Sequence, residues 1–142
     1  MSQENVEFVK GLFDSTGQIG KETLLQALPT LIAEMCDPEI EWIEAPTRAD
    51  QRVARGHEAV RESFERWLEN FEDYEGHLEE ALDCGDKVFV IAREQASGAA
   101  SGAAISQRIY IVVTFREGKI TRYEEFYDEQ PARAAAGLSQ RL

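Results

Sequence analysis

The stretch from residue 105 to residue 127 constrains the fold of this chain more than any other. Apolar residues recur at every second position on both sides of a short turn, in residues 105–115 and again in residues 121–127. This period of two, rich in β-branched and aromatic residues, predicts two β-strands. The turn between them is Arg116-Glu117-Gly118-Lys119, in which Gly118 can adopt the positive φ angle of a short hairpin loop. We therefore expect the two strands to pair antiparallel.

Composition limits the classes of protein to which the chain can belong. Its 142 residues, 43% of them hydrophobic, predict one globular domain with its own core. The net charge of -12 disfavours binding to nucleic acid or to an anionic membrane surface. The N-terminus lacks the features of a signal peptide, and no apolar run approaches the ~20 residues of a membrane span. With only two cysteines, Cys36 and Cys84, we expect a reduced, cytoplasmic protein.

Apolar residues at helical spacing predict three helices before the hairpin. The first begins at Ser2, which can cap it, and the second covers residues 21–35. Pro29 cannot occupy a helix interior without loss of a hydrogen bond, so we expect a kink there or two short helices. Asp37-Pro38 is expected to stop this second helix. The third follows Gly56 and has the clearest apolar stripe of the chain, formed by Val60, Phe64, Trp67, Leu68 and Phe71.

Three further strands are predicted, over residues 39–44, 74–83 and 87–95, with loops over residues 46–56 and 96–104. A short helix over residues 131–136 ends the pattern. The order is three helices around one early strand, four strands in meander order and a tail helix. This order predicts an α+β fold, a cone-shaped barrel in which the three helices pack on the concave face of a curved, mostly antiparallel sheet. Small ligands bind in concave interiors of this kind.

The order of elements and several local strings together resemble the SnoaL-like family of the nuclear transport factor 2-like superfamily. The resemblance covers nearly the whole chain. It implies one domain over residues 1–142, a homodimer that pairs through the outer face of the sheet, and no cofactor. The family includes polyketide cyclases, ketosteroid isomerases, epoxide hydrolases, dehydratases and non-catalytic binding domains. The strings that carry the resemblance are Asp37-Pro38-Glu39-Ile40-Glu41-Trp42, Arg55-Gly56-His57-Glu58-Ala59-Val60, Gly85-Asp86-Lys87-Val88, Glu117-Gly118-Lys119-Ile120 and Ala134-Ala135-Ala136-Gly137-Leu138.

Alternation divides the residues of each strand between two faces, and the resemblance indicates which face lines the pocket. Three carboxylates, Glu44, Glu94 and Glu125, are then the catalytic candidates. A carboxyl group in an apolar cup near like charges has a raised pKa, which suits acid–base catalysis near neutrality. The alternative is that these glutamates only solvate the surface, as most of the 27 acidic residues must. The expected substrate-binding residues are Trp42, Phe64, Ile109, Ile111, Val113, Tyr123 and Tyr127.

The same alignment of residues disfavours two reactions of the family. The arginine that epoxide hydrolases hold between their acids is replaced by Ala92, with Arg93 on the opposite face. The oxyanion donors of ketosteroid isomerases would fall near Phe13 and Ile111, which cannot donate. A cofactor-independent cyclase, isomerase or dehydratase fits better, with Glu125 as the acid–base group, assisted by Glu94 or Glu44. Its ligand would be small and apolar, polyketide-like or terpenoid-like.

Two non-catalytic alternatives stay open. One is a module that binds an apolar metabolite or a partner through the same cavity or the outer sheet, and the other is a plain dimerisation domain. The histidines, His57 and His77, lack ligand spacing, so we expect no metal site. On the hairpin, the outward residues Arg108, Tyr110, Val112 and Thr114 are half apolar. We expect this face to be exposed in a monomer and covered in the homodimer.

Overall fold

The computed structural model of the chain describes residues 2–45, 53–98 and 104–138. Within these residues four helices and seven strands are present. The helices are α1 (Ser2–Gly11), α2 (Lys21–Met35), α3 (His57–Glu69) and α4 (Glu129–Ala136). The strands are β1 (Gln18–Gly20), β2 (Cys36–Ile43), β3 (Val53–Arg55), β4 (Phe71–Asp83), β5 (Lys87–Gly98), β6 (Ala104–Arg116) and β7 (Lys119–Phe126).

All seven strands form one curved sheet in the order β1-β4-β5-β6-β7-β2-β3. Strands β4 to β7 are the predicted meander of antiparallel neighbours, and β2 joins β7 in parallel. Two parallel strands need a crossover connection. Here it consists of the elements from β3 to β6, which lie between β2 and β7 in the chain. The predicted α+β fold with a mostly antiparallel sheet is confirmed.

The hairpin turn between β6 and β7 has two residues of positive φ. Glu117 has φ 53° and Gly118 has φ 79°. Two such residues in succession are typical of the mirror-image turns that match the twist of paired strands. The predicted role of Gly118 is confirmed, and Glu117 adopts a backbone conformation that side chains with a Cβ disfavour.

The segment from α2 to β2 differs from the prediction. Helix α2 continues through the exposed Pro29, so a division into two short helices is wrong. Helix α2 ends at Met35, just before Asp37-Pro38 as predicted, but these two residues already belong to β2, which begins at Cys36. The register between β2 and β7 shifts between Cys36 and Glu41, and Pro38 lies in this irregularity, where its missing N–H breaks no regular ladder. No helix among the described residues is long and apolar enough to cross a membrane.

Two predicted loops are partly strand. Residues 53–55, expected to be loop, form β3 because they pair with β2 at its outer edge. Residues 96–98 extend β5, and Ala104 already belongs to β6. The rest of the two predicted loops, residues 46–52 and 99–103, and the capping side chain of Ser2 lie outside the described part of the structure. Strand β1, with three residues, carries too short a pattern to be predicted.

The sheet packs on both faces. Helices α1, α2 and α3 contribute to the inner core together with the concave face. On the other face, Ala132 and Ala136 of α4 pack on Phe89, Tyr110 and Val112. Tyr110 is 8% exposed and Val112 is 0% exposed, so the expectation that this part of the outer face is open in a single chain is wrong. The small side chains of α4 allow this close approach, and Lys87 Nζ donates a 2.9 Å hydrogen bond to the carbonyl of Ala135.

Candidate functional site

An enclosed cavity of about 410 Å³ lies between the sheet and helices α1 to α3. Its volume is within the usual range for small-molecule pockets, and most of its lining is apolar. Six aromatic side chains contribute to the lining. They are Phe8, Phe13, Phe64, Trp67, Tyr74 and Tyr123.

Seven of the ten predicted site residues line this cavity: Phe64, Glu94, Ile109, Ile111, Val113, Tyr123 and Glu125. The three others do not belong to its lining. Glu44 is half-buried just after β2, Trp42 is buried behind the wall, and Tyr127 packs against the inner core. The cavity therefore brings together two of the three carboxylates that we considered as catalytic groups.

Glu94 is the better defined of the two carboxylates. It lies on β5, is 4% exposed, and accepts hydrogen bonds at both oxygens. The Tyr74 hydroxyl donates to Oε1 over 3.3 Å, and Gln107 Nε2 donates to Oε2 over 3.0 Å. Gln107 is the direct cross-strand partner of Glu94 on β6, so the pairing of the two strands sets this contact. Donors of this kind stabilise negative charge on a carboxylate.

Tyr74 is the residue that relates the two carboxylates. Burial raises the pKa of the Tyr74 hydroxyl far above its ordinary value, and the nearby Glu94, Tyr123 and Glu125 raise it further. The hydroxyl is therefore a hydrogen-bond donor at every physiological pH. Glu125 lies on β7 and is 3% exposed. It raises the pKa of the same hydroxyl as Glu94 does, so both carboxylates lie near Tyr74 at one end of the cavity.

Gly76 leaves the space that the Tyr74 hydroxyl occupies beside Glu94. Gly76 is the cross-strand partner of Glu94 on β4. A Cβ atom on Gly76 would lie 3.8 Å from the Tyr74 hydroxyl oxygen and 3.4 Å from Cγ2 of Ile19. Alanine would be accommodated in ordinary contact, whereas a larger side chain would compete with Tyr74 for this space.

A stack of aromatic rings supports one wall of the cavity. Trp42 stacks on Phe64 with ring centroids 4.1 Å apart and an interplanar angle of 11°. Phe64 in turn meets Tyr123 edge to face at 5.7 Å. Trp42, only 1% exposed, thus holds Phe64 from behind, and its contribution to the cavity is indirect.

Sequence reasoning missed Tyr74, Gln107 and the parts of the cavity wall that α1 and α2 contribute. Gln107 carries a usable signal, because it is the one polar residue among the alternating apolar positions of β6 that share its face. Tyr74 carries no such signal, because its hydroxyl contacts Glu94 only after β4 and β5 have paired. Cys36 also borders the cavity, and burial raises the pKa of its thiol to about 11. An inert thiol of this kind contributes packing rather than nucleophilic chemistry.

A second hollow of about 730 Å³ opens on the outside of the same end of the domain. It is larger than the inner cavity, but half of its bordering residues are charged, and four of these are exposed carboxylates. The inner cavity is the candidate functional site, because an apolar surrounding strengthens interactions with buried carboxylates. Tyr74 borders both spaces, so the hollow lies next to the carboxylate end of the cavity.

Ala92 and Arg93, the two residues that disfavoured epoxide hydrolysis, lie on opposite faces of the sheet, as the alternation predicts. Ala92 lines the cavity, whereas Arg93 lies on the outer face with Nε 4.0 Å from Oε2 of Glu79. Among the described residues, no group of three or more potential ligands is arranged to hold a metal ion.

Solved structures share this fold over most of their length. A proposed SnoaL-like polyketide cyclase from Jannaschia sp. CCS1 superposes with a TM-score of 0.72 at 19% identity, covering 98% of this chain and 95% of that one. An NTF2-like protein of unknown function from Burkholderia pseudomallei gives 0.69 at 14% identity, covering 99% and 100%. A ketosteroid isomerase-like protein from Catenulispora acidiphila, in complex with trimethylamine, gives 0.63 at 16% identity, covering 82% and 90%.

At these identities the likeness shows the fold alone. No curated protein sequence matches the chain. The family comparison is more specific, because residues 26–123 match the SnoaL-like domain. These residues contain most of the cavity lining, including Glu94, and Glu125 lies two positions beyond their end. With more than half of its length matched, and with NTF2-like structures among its neighbours, this chain belongs to the SnoaL-like domain family of the NTF2-like superfamily.

Proposed function

We propose that this domain binds an apolar small molecule in the inner cavity and carries out cofactor-independent acid–base chemistry on it, of the cyclase, isomerase or dehydratase type. The observation that carries the proposal is the pair of buried carboxylates, Glu94 and Glu125, at one end of an otherwise apolar enclosure. Burying one carboxyl group costs several kcal/mol unless it is compensated, so two at the same place favour a functional role.

Glu125 is the acid–base residue in this proposal. Both oxygens of Glu94 already accept hydrogen bonds, from Tyr74 and Gln107, so Glu94 is held in place as a fixed acceptor. Glu125 follows Tyr123 by two positions on β7, and both side chains reach the cavity. A ligand beside Glu125 could exchange a proton with its carboxyl group while Glu94 and the tyrosine hydroxyls orient the polar atoms of the ligand.

Small-molecule binding has support in the fold as well as in the cavity. The similar protein from Catenulispora acidiphila was solved in complex with trimethylamine, so a relative of this fold holds an organic molecule. Binding is therefore the first step to test. A panel of polyketide-like and terpenoid compounds would be screened by thermal shift, with Ala92→Phe as a variant that fills the cavity and Ala33→Phe on the exposed face of α2 as its control.

Compounds that stabilise the wild type and the control, but not Ala92→Phe, occupy the cavity. These compounds are then incubated with wild type, Glu125→Gln and Glu62→Gln, an exposed α3 variant, and conversion is followed by mass spectrometry. We expect turnover with wild type and Glu62→Gln and none with Glu125→Gln, whose circular dichroism spectrum stays native. Full turnover by Glu125→Gln would contradict the catalytic role.

A binding module without catalysis is the second candidate, favoured by the fixed acceptor geometry of Glu94. In that case ligands bind but none is converted, Glu125→Gln leaves affinity largely unchanged, and Phe64→Ala weakens it. The homodimer and the cytoplasmic location stay predictions. The homodimer now depends on the family resemblance alone, because α4 covers the apolar patch that suggested an interface.

A further inference from the structure

The ionisable side chains of opposite type are unequally represented around the inner cavity, because those with carboxyl groups are present and basic ones are not, among the described residues. Glu94 and Glu125 reach the lining, and no lysine, arginine or histidine does, among the described residues. A ligand that carries a carboxylate or phosphate would place a third negative charge in this enclosure without a partner, which is unfavourable in a medium of low dielectric constant. A cationic group would instead be attracted by the carboxylates of Glu94 and Glu125.

Aromatic rings lie at the same end as the carboxylates. Trp67 and Tyr74 meet edge to face with centroids 4.9 Å apart, and the Tyr74 hydroxyl is 3.3 Å from Glu94. Ring faces attract cations, most strongly where water is excluded, and tryptophan is the best of the three rings for this interaction. Carboxylates and aromatic rings thus lie at the same end of the cavity.

The surface next to this end is also acidic. The outer hollow that shares Tyr74 with the cavity is bordered by four exposed carboxylates, of Glu22, Glu72, Asp73 and Glu75. Its one bordering lysine, Lys21, donates a 2.6 Å hydrogen bond to the carbonyl of Phe71. A hollow lined by one sign of charge concentrates ligands of the opposite sign and increases their association rate.

We propose that the ligand of the cavity is an apolar amine, bound as its ammonium ion at the end where Glu94, Trp67 and Tyr74 meet, with its hydrocarbon part against the helices. This rests on the proposed function, because it assumes that the inner cavity is the binding site. It adds a charge class: cations are selected, neutral molecules of the same shape bind less tightly, and anions are excluded.

The test compares three probes of equal chain length and different charge, decylamine, decan-1-ol and decanoate, by isothermal titration calorimetry at neutral pH. We expect decylamine to bind about tenfold more tightly than decan-1-ol, and decanoate more weakly than either. Stopped-flow association of decylamine should slow as NaCl is increased, whereas association of decan-1-ol should not.

Variants identify the groups responsible. In Glu94→Gln the preference for the amine over the alcohol should fall to about twofold or less, while Glu62→Gln keeps the preference of the wild type. If Glu94→Gln fails to fold, Glu125→Gln gives the same comparison, and replacement of the exposed Glu72, Asp73 and Glu75 by glutamine tests the salt dependence without touching the core.

The outcomes separate this inference from the proposed function. Equal affinity for decylamine and decan-1-ol, or a preference that persists in both Glu94→Gln and Glu125→Gln, overturns the amine while leaving the cavity as a binding site. If none of the three probes binds, or if Ala92→Phe binds them as tightly as wild type, both proposals are overturned.

Discussion

Gln107 donates a hydrogen bond across the β5–β6 pair to Oε2 of Glu94, over 3.0 Å, and the two residues are direct partners in the sheet. Glu94 is buried, at 4% exposed, whereas Gln107 is half-buried. The conformation of this candidate site residue is therefore set by the register of the sheet rather than by a loop. Sites held by regular elements are positioned more accurately than sites on loops.

Replacing Gln107 with leucine should destabilise the domain by about 1–3 kcal/mol, because a buried carboxylate oxygen loses its donor. The measurement is urea unfolding at neutral pH. Gln95→Leu, on the neighbouring strand but exposed, is the matched control and should change stability by less than about 0.5 kcal/mol. Equal effects of the two substitutions would show that the contact with Glu94 contributes nothing specific.

The hairpin turn should respond to substitution in opposite directions at its two central residues. Glu117→Asn should stabilise the domain, by up to ~1 kcal/mol, because asparagine tolerates the positive φ that Glu117 adopts. Gly118→Ala should destabilise it by about 1–2 kcal/mol, because a Cβ atom is strained at φ 79°. Thermal and urea unfolding of both variants test the pair. A stabilising Gly118→Ala would contradict the turn geometry.

Helix α4 offers a matched pair for its packing on the outer face. Ala132 is 0% exposed against the outer core, whereas Ala134 on the same helix is exposed. Ala132→Leu should cost about 1–3 kcal/mol through overpacking, and Ala134→Leu should be nearly neutral. Unfolding free energies measure the difference. Similar values for both variants would mean that α4 does not cover the sheet in solution.

The buried thiol of Cys36 predicts a specific dependence of stability on pH. Its pKa is raised by burial from 9.0 to about 11. Because the folded pKa exceeds the unfolded one, the stabilising contribution of the neutral thiol is complete below pH 9 and is lost as pH rises from 9 to 11.

Between pH 9 and pH 11, the unfolding free energy of wild type should therefore fall more steeply than that of Cys36→Ala, measured in urea under reducing conditions. Cys84→Ala is the control, since the pKa of the half-buried Cys84 is also raised but its thiol is less enclosed. Other groups titrate in all three proteins and cancel in the comparison. Parallel slopes for wild type and Cys36→Ala would contradict the buried position of this thiol.

The sequence predicted most of the sheet because alternation and turn residues agree over long stretches. The hairpin shows this well, since Gly118 and its flanking strands lie where the pattern indicated. Strand β4 shows the limit. Its register with β5 shifts between Leu78 and Glu80, so that Leu78 and Ala81 both contribute to the inner core and Leu82 to the outer one. A bulge of this kind reverses the faces, and strict alternation cannot predict it.

The candidate site was predicted only in part for a related reason. Alternation along the strand places Glu94 on the same face as every second residue of β5, but it does not say which face is concave. That choice came from the family resemblance. Trp42 shares the predicted face, yet Phe64 from α3 lies between it and the cavity. Packing between helix and sheet decided this, and it depends on contacts far apart in the sequence. The packing of α4 on the outer face of the sheet could not be predicted for the same reason. Its alanine-rich sequence does not indicate which face of the sheet the helix will cover.

Tyr74 lies between the apolar cavity and the charged hollow outside it. At this end of the domain, the charge next to the cavity and the stability of the core therefore depend on different side chains. The carboxylates that border the hollow are exposed, so substituting them should alter stability by little. Exchanging a few of these surface side chains could therefore begin to change the charge of the ligands that the domain prefers. The fold would stay as it is.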